Sequence, residues 1–332
     1  MANSTSARTA ARPVAAGTLA LSAALVLAGC GTDASEATTP ADGYPLTVQN
    51  CGEDVSIEAP PERVVMLESA AVTILDGIGV FDRVQARAGA FPLEYYDQDL
   101  AGQVAGVEAF SEDIDAAGHL MISAEEVIAQ SPDLVLGLPD GVNRAALADA
   151  GAPALIPEAY CAEHSEEAQF EDIYAEVSRY GQIFDRSEQA EELNAELAER
   201  VAAVAEGNDG EHRTAAVLYP SVGGGPLYAY GTSSMAHPQL EVAGLQNLFA
   251  DMGERVFEIQ TEELIDRDPD VLIVLYQGTQ ADAEDALAQR SGVDGVSAIN
   301  DGDVHYQLFN FTEPASPLVV DGLERLAEQV RG

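Results

Sequence analysis

Lysine and tryptophan are absent from the 332-residue sequence, and basic residues are few. All 15 basic residues are arginines, they stand against 57 acidic residues, and the formal net charge is −42. The missing lysine excludes Schiff-base chemistry and a P-loop phosphate site, because both need its amine. The shortage of positive charge argues against a nucleic-acid partner, since duplex binding needs a basic surface that displaces phosphate counterions. A hydrophobic content of 47% favours a folded protein.

The N-terminus is also poor in charge, because Arg8 and Arg12 are the only charged residues before Cys30. The apolar run 14–27 is shorter than the roughly 20 residues that a bilayer-spanning helix needs. A basic region followed by a short apolar region is typical of an export signal. We therefore expect a signal peptide over 1–29.

The end of this signal, Leu27-Ala28-Gly29-Cys30, is similar to a bacterial lipobox, in which the cysteine carries a lipid. The alternative is an ordinary signal followed by a chance cysteine. A polar, small-residue stretch follows, so we expect a lipidated flexible tether over 30–43. A lipid on Cys30 predicts attachment to the outer face of the cell membrane without a transmembrane helix.

Two further cysteines, Cys51 and Cys161, form an even pair in an exported chain. An oxidising compartment favours a disulfide between them. The alternative is two buried free thiols, since unpaired cysteine behaves as a small hydrophobic residue.

Apolar runs of strand length alternate with helical periodicity in both halves of the chain, which predicts mostly parallel sheets covered by helices. The strand-like runs are 63–67, 83–87, 133–137, 153–157, 214–219, 271–276 and 304–308. Between the halves, 169–206 has almost no helix breakers and predicts one long helix. We expect an α/β fold with Rossmann-like lobes over 44–168 and 207–332, joined by one long inter-lobe helix.

An internal repeat supports the two lobes, because 125–136 aligns without gaps on 262–273. Each copy begins with Glu-Glu and has Pro-Asp before an apolar strand. Proline ends the helix and aspartate favours the turn that starts the strand. Helix-to-strand connections in α/β proteins can look alike by chance, but the identical placement favours a duplicated element.

Short motifs recur along most of the chain, at 50–52, 61–65, 131–135, 180–184, 231–234, 268–272 and 321–323. In their order and spacing they resemble the lipoprotein substrate-binding components of ABC importers, of the helical-backbone type that binds ferric siderophores, haem or cobalamin. The resemblance implies two lobes around a cleft with little hinge closure. It also implies a monomeric receptor without enzymatic activity, which captures a ferric siderophore or similar metal chelate and passes it to a permease and its ATPase.

In this family a glutamate on each lobe docks into arginine pockets of the permease, and Glu125 and Glu262 match those positions. Carboxylates on both lobes can form bidentate pairs with arginine. The alternative is that acids in a first helical turn only oppose the helix dipole. Ser123 and Glu126 form a predicted capping box, which leaves Glu125 available.

The ligand site is expected outside the carboxyl ends of the strands. Aromatic residues are scarce, at 6% of the chain, yet they cluster in these loops, which suits a bulky chelate. Arg87 and Arg144 are the cationic candidates for an anionic chelate. The alternative for each aromatic is core filling, and for each arginine a nearby acid. The candidate ligand contacts are Ser69, Arg87, Tyr95, Tyr96, Arg144, Tyr160, Tyr228, Tyr230, Met235, Phe309 and Phe311.

Two other functions stay open. A bare zinc or manganese ion could use histidines, but His119, His164, His212, His237 and His305 are scattered singly, and only His237 and His305 are weak candidates to converge. An exported hydrolase of the nucleophile-elbow type would need Gly-x-Ser-x-Gly, which is absent from the sequence.

Overall fold

The computed structural model describes residues 43–113, 120–161, 166–207 and 213–331. The predicted signal peptide, Cys30 and nearly all of the predicted tether lie outside these residues. Among the described residues, no helix combines the length and the apolar character needed to cross a bilayer.

The first lobe contains a hairpin and a parallel sheet. Its strands are β1 (Leu46–Asn50), β2 (Glu53–Ile57), β3 (Val64–Met66), β4 (Val84–Ala88), β5 (Glu108–Ser111), β6 (Leu134–Leu136) and β7 (Ala154–Leu155). Its helices are α1 (Val72–Gly77), α2 (Gln98–Gly106), α3 (Ala124–Ala129) and α4 (Arg144–Asp149). The order β5-β4-β3-β6-β7 reverses direction at β3, as in doubly wound α/β folds, and every neighbouring pair is parallel.

The connecting segment is helical as expected, but it forms two helices instead of one: α5 (Phe170–Ile183) and α6 (Ser187–Glu206). The break follows from a Schellman motif. Asp185 adopts a left-handed φ of 55°, and the Arg186 N–H reaches back to the Gly181 carbonyl at 2.7 Å. The Asn194 side chain then bonds the Tyr174 carbonyl at 2.9 Å, so the two helices pack as an antiparallel hairpin.

The second lobe contains a mixed sheet. Its strands are β8 (Arg213–Pro220), β9 (Leu227–Tyr230), β10 (Leu245–Asn247), β11 (Val256–Ile259), β12 (Val271–Tyr276) and β13 (Val304–Leu308). Its helices are α7 (Ala236–Val242), α8 (Thr261–Arg267), α9 (Gln280–Ala288), α10 (Ser297–Asp301) and α11 (Pro317–Arg331). The order is β11-β9-β8-β12-β13, with β10 also on β8; β8, β10, β12 and β13 pair in parallel, while β9 and β11 are antiparallel. The predicted α/β class with mostly parallel sheets is confirmed, whereas the domain limits given above stay predictions.

The repeat seen in the sequence recurs in the backbone. Ser131 and Asp268, which precede the two Pro-Asp turns, both adopt left-handed φ values, 54° and 45°. The carboxylate of Asp133 accepts the Arg63 N–H at 2.8 Å at the start of β3. Asp270 accepts the Thr214 N–H at 2.7 Å near the start of β8. Each aspartate therefore fastens its strand to the first strand of the same sheet.

Alternating strand residues divide each sheet into two faces. Val64 of β3 and Val271 of β12 belong to one core cluster that also contains residues of α1, α5, α6 and α11. The opposite faces, which contain Val65 and Leu272, belong to separate clusters. One face of each sheet thus packs on a shared helical layer, and a continuous apolar core joins the two lobes.

Candidate functional site

The carboxyl ends of the central strands of the first sheet bring Glu68 and Gly137 together. Glu68 follows β3 and Gly137 follows β6, at the point where the strand order reverses. A Cβ atom on Gly137 would lie 2.8 Å from Cγ of Glu68, and Gly137 has a φ of 92°. Only glycine suits this position, because it tolerates both the left-handed backbone and the close approach.

Glu68 keeps some contact with solvent, although most of its surroundings are buried protein. It accepts the backbone N–H groups of Ala70 at 2.7 Å and Ala71 at 3.3 Å. Burial raises its pKa to about 7, against the lowering effect of those two bonds. Its charge raises the pKa of Tyr96 and Tyr160, which places both rings near it. Within the described part of the chain, Glu68 forms no ion pair with an arginine.

Tyr160 belongs to the first lobe, and its ring contacts Arg255 of the second lobe. It ends the 3₁₀ segment Glu158–Tyr160, and the guanidinium carbon of Arg255 lies 5.1 Å from its ring centroid. The ring is 40% exposed, while burial and then the charge of Glu313 raise the pKa of its hydroxyl well above the ordinary value. The ring therefore presents an accessible apolar surface next to a cation.

Arg255 is held by Glu313, a fully buried carboxylate. Nη1 of Arg255 lies 3.4 Å from Oε2 of Glu313. The other oxygen of Glu313 accepts the Ser234 hydroxyl and, at 3.2 Å, the Met235 N–H. Burial raises the pKa of Glu313, and Arg255 opposes that rise. Because the guanidinium of Arg255 makes only this one polar contact among the described residues, its other N–H groups are available to a ligand.

A cavity of about 670 Å³ lies beside the residues that flank Tyr160 in the chain, Ala159 and Cys161. It is also lined by the turn between β1 and β2, one side of α5, and Ser233, Met235 and Ala315. On α5, Arg179 bridges Glu176 at 2.6 Å and Glu158 at 2.5 Å. Burial raises the pKa of Glu176 to about 7, and Arg179 opposes this rise. The volume falls in the range of small-molecule sites.

A second contact between the lobes involves Tyr95 and Asn310. The Tyr95 hydroxyl donates to Oδ1 of Asn310 at 3.2 Å and accepts the Asn310 N–H at 3.0 Å. Asn310 also donates from Nδ2 to Oγ of Ser69 at 3.4 Å, and the Tyr95 ring packs edge-on against Phe311. Ser69, Tyr95 and Phe311 were predicted as ligand contacts; all three are buried, Ser69 and Tyr95 bond to Asn310, and Phe311 packs on Tyr95.

The other predicted aromatic contacts lie near these two places. The Tyr96 hydroxyl donates to the Ser69 carbonyl at 3.3 Å. Tyr230 is buried near Arg255 and Glu313; burial and then the charge of Glu313 raise the pKa of its hydroxyl, and Arg255 opposes this rise. Tyr228 is opposite Tyr219 in the sheet register, and the Phe309 ring lies 6.0 Å from Tyr219.

The two predicted arginine contacts differ in their surroundings. Arg87 lines a shallow cavity of about 320 Å³, and its guanidinium lies 5.2 Å from the Phe91 ring and 3.8 Å from Glu112. Its Nε is buried without a hydrogen-bond partner among the described residues, so it keeps an unused donor.

The guanidinium of Arg144 is occupied within the protein, and its role as a ligand contact stays a prediction. Its guanidinium donates to the carbonyl of Asn50 at 3.0 Å, to Oδ1 of Asn50 at 2.6 Å and to the Ala154 carbonyl at 3.0 Å. These bonds fasten the β1–β2 hairpin to β7. Arg144 therefore has a structural role and does not line either cavity.

Cys51 and Cys161 are joined by a disulfide that links the hairpin turn to the residue after Tyr160. The histidine candidates give no common site: His237 faces Glu241 at 3.7 Å, and His305 faces Asp303 at 2.7 Å. The residues that the structure describes contain no group of three or more His, Cys, Asp or Glu side chains placed to hold a metal ion. His119, His164 and His212 lie outside the described residues.

Sequence reasoning missed Arg255 and Glu313. Each arginine of a lysine-free chain is one of few cations, and this scarcity could have directed attention to Arg255. Glu313 lies two residues beyond the last loop aromatic, Phe311. Nothing in the sequence indicates that its side chain is buried.

Residues 64–307 match a family model described as periplasmic binding protein. A solved structure from Saccharomonospora viridis, described as an ABC-type Fe³⁺-hydroxamate transport system, is 48% identical, with a TM-score of 0.83 over 87% of this chain and 100% of that chain. No curated protein matches the chain.

Two more distant structures share the fold. A periplasmic haem-binding protein from Pseudomonas aeruginosa is 18% identical, with a TM-score of 0.61 over 80% of this chain and 91% of that one. A periplasmic vitamin B12-binding protein from Vibrio cholerae is 16% identical, with a TM-score of 0.59 over 82% and 97%.

Proposed function

Because this chain belongs to the periplasmic binding protein family, we propose that it captures a ferric hydroxamate chelate in the cleft between its lobes. The observation that carries this proposal is the 48% identity to the Fe³⁺-hydroxamate transport structure over 87% of this chain. Membership of the family implies an extracytoplasmic protein that works with an ABC permease and a small-molecule chelate.

The cleft chemistry supports this choice. A ferric hydroxamate presents an apolar shell and a face of oxygen atoms that carry partial negative charge. The accessible ring of Tyr160 offers an apolar wall, and the free N–H groups of Arg255 can donate to hydroxamate oxygens. The chelate would be cargo, and no covalent step is needed, so the protein would act without catalysis.

The remaining parts of the proposal concern the membrane. Export, lipidation of Cys30 and the tether over 30–43 would hold the receptor on the outer face of the cell membrane. As a monomer it would dock through Glu125 and Glu262 onto the permease, whose ATPase drives uptake. Both glutamates are exposed, which supports a role in docking.

Calorimetric titration of the purified protein tests the ligand. The probes are ferrioxamine B as the ferric trihydroxamate, a ferric tricatecholate, haemin, cobalamin, Zn²⁺ and Mn²⁺. We expect saturable one-to-one binding of ferrioxamine B, accompanied by quenching of tyrosine fluorescence, which is free of tryptophan background in this chain. Binding of haemin, cobalamin or a bare ion in its place would contradict the proposal, and so would turnover of an ester, peptide or glycoside.

A further inference from the structure

The residues Glu158 to Cys161 are fastened to three different elements. Glu158 pairs with Arg179 of α5 at 2.5 Å. Tyr160 packs against Arg255 of the second lobe, at 5.1 Å from the ring centroid. Cys161 is bonded to Cys51 in the turn between β1 and β2. The accessible ring beside Arg255 is therefore carried on a segment held by an ion pair on one side and a covalent bond on the other.

The segment has little structure of its own to hold that ring. Its local backbone bonds are those of one short 3₁₀ turn, from Tyr160 N–H to the Pro157 carbonyl and from Cys161 N–H to the Glu158 carbonyl, both 2.9 Å. Short 3₁₀ turns have poor hydrogen-bond geometry. The position of Tyr160 must therefore depend on the anchors at either side.

The hairpin end of the disulfide is, in contrast, well fixed. The side chain of Asn50 exchanges two hydrogen bonds with the backbone of Ile156, at 2.8 and 2.9 Å. Arg144 holds the same asparagine and the Ala154 carbonyl. Cys51 follows directly in the chain, so the disulfide transfers a rigid position on the hairpin to the residue beside Tyr160.

We propose that the Cys51–Cys161 disulfide is a positioning element for Tyr160, so that ligand affinity depends on the redox state of this pair. The inference rests on the proposed function. Reduction by an external dithiol supplies two electrons and two protons; the S–S bond breaks, both cysteines become thiols, and the dithiol closes to its own disulfide. Tyr160 then loses its fixed place beside Arg255, and binding must order it again.

The test compares four proteins by calorimetry with ferrioxamine B: the wild type, the double variant Cys51→Ser with Cys161→Ser, Tyr160→Ala, and the triple variant. We expect the double variant to bind about tenfold more weakly, the size of one cation–π contact in a desolvated site. In the Tyr160→Ala background, loss of the disulfide should produce no further weakening, because its effect passes through that ring. Wild-type protein that has been reduced, alkylated with iodoacetamide and desalted should match the double variant.

The other possible results either contradict the inference or show that the proposed function has failed. A lower unfolding temperature with unchanged affinity would make the disulfide a stabiliser of the fold only. If loss of the disulfide weakens binding equally in the wild-type and the Tyr160→Ala background, its effect does not pass through Tyr160 and the inference is wrong. If the wild type binds no ferrioxamine B, the proposed function fails. Hydrogen exchange of residues 157–161, measured without ligand, then tests the positioning role on its own. Faster exchange in the double variant supports that role, and unchanged exchange overturns it.

Discussion

Glu125 and Glu262 occupy the same place in the two lobes: each is the second residue of its helix, α3 or α8, and each is exposed. The glutamate that follows is used locally in both copies. Glu126 completes a capping box with Ser123, and Glu263 pairs with Arg267 at 3.2 Å. Helix α8 starts after Gln260 and has no side-chain cap of this kind among the described residues. The repeat thus leaves one equivalent carboxylate free on each lobe.

Replacing both Glu125 and Glu262 with alanine should abolish chelate uptake by cells while leaving the affinity for ferrioxamine B unchanged. The physical reason is that carboxylates at equivalent places can pair with arginines of a permease, while neither glutamate lines either of the two cavities described above. Uptake of radioactive iron and calorimetry measure the two effects. Asp266→Ala, an exposed carboxylate on the same helix α8, is the control and should keep full uptake. A loss of affinity as large as the loss of uptake would contradict the docking role.

Replacing Arg255 with alanine should weaken ferrioxamine B binding by roughly tenfold or more, because it removes a hydrogen-bond donor and the partner of the Tyr160 ring. Loss of this cation also leaves Glu313 buried without its ion pair, which destabilises the fold. The variant Arg255→Ala with Glu313→Gln separates the two effects, since it should recover stability without recovering affinity.

Calorimetry measures the ligand affinity of these variants, and chemical denaturation measures their stability. Arg186→Ala, at the α5–α6 junction, serves as the control for loss of one positive charge. An unchanged Kd in the Arg255 variants would remove Arg255 from the site.

The sequence allowed the prediction of those features that depend on local pattern. Alternation of apolar residues predicts the strands, and Pro-Asp with a preceding helix predicts both copies of the repeat. The residues whose roles could not be predicted make contacts with residues that are distant in the sequence. Arg144 meets Asn50 across 94 positions, and Tyr95 meets Asn310 across 215. No periodicity encodes such partners, because side-chain reach and the packing of the lobes decide them.

The break between α5 and α6 was missed for a different reason. Asp185 in the left-handed region ends α5 without glycine or proline, the residues that usually announce a helix end. Asparagine and aspartate tolerate this conformation better than other residues, so the signal was present but weak.

The stability of the protein should fall as the pH rises from about 4.5 to about 7, in part because of Glu68. Burial raises its pKa from 4.5 to about 7, so the folded state binds the proton more tightly than the unfolded chain in that interval. Burial raises the pKa of Glu176 in the same direction, so its ionisation also lowers stability as the pH rises. Ionisation of both groups therefore destabilises the fold above this interval.

The variant Glu68→Gln keeps an acceptor for the Ala70 N–H and cannot ionise. Its unfolding temperature, measured by circular dichroism, should rise relative to the wild type between pH 5 and pH 8. Glu199→Gln on the exposed side of α6 is the matched control and should follow the wild type. A difference between Glu68→Gln and the wild type that stays constant with pH would show that Glu68 is not the titrating group.

Removing the hydroxyl of Tyr95 should lower the free energy of unfolding by about 1–3 kcal/mol, because the buried Asn310 N–H and the oxygen of its side-chain amide lose their partner. Tyr95→Phe keeps the edge-on contact with Phe311, so the effect isolates the hydrogen bonds between the lobes. Urea denaturation measures it. Tyr219→Phe is the control, since its hydroxyl only reaches Gln277 at 3.5 Å near solvent and its loss should change stability little. Equal stability of Tyr95→Phe and the wild type would mean that apolar packing alone, through the shared helical layer, fixes the lobes.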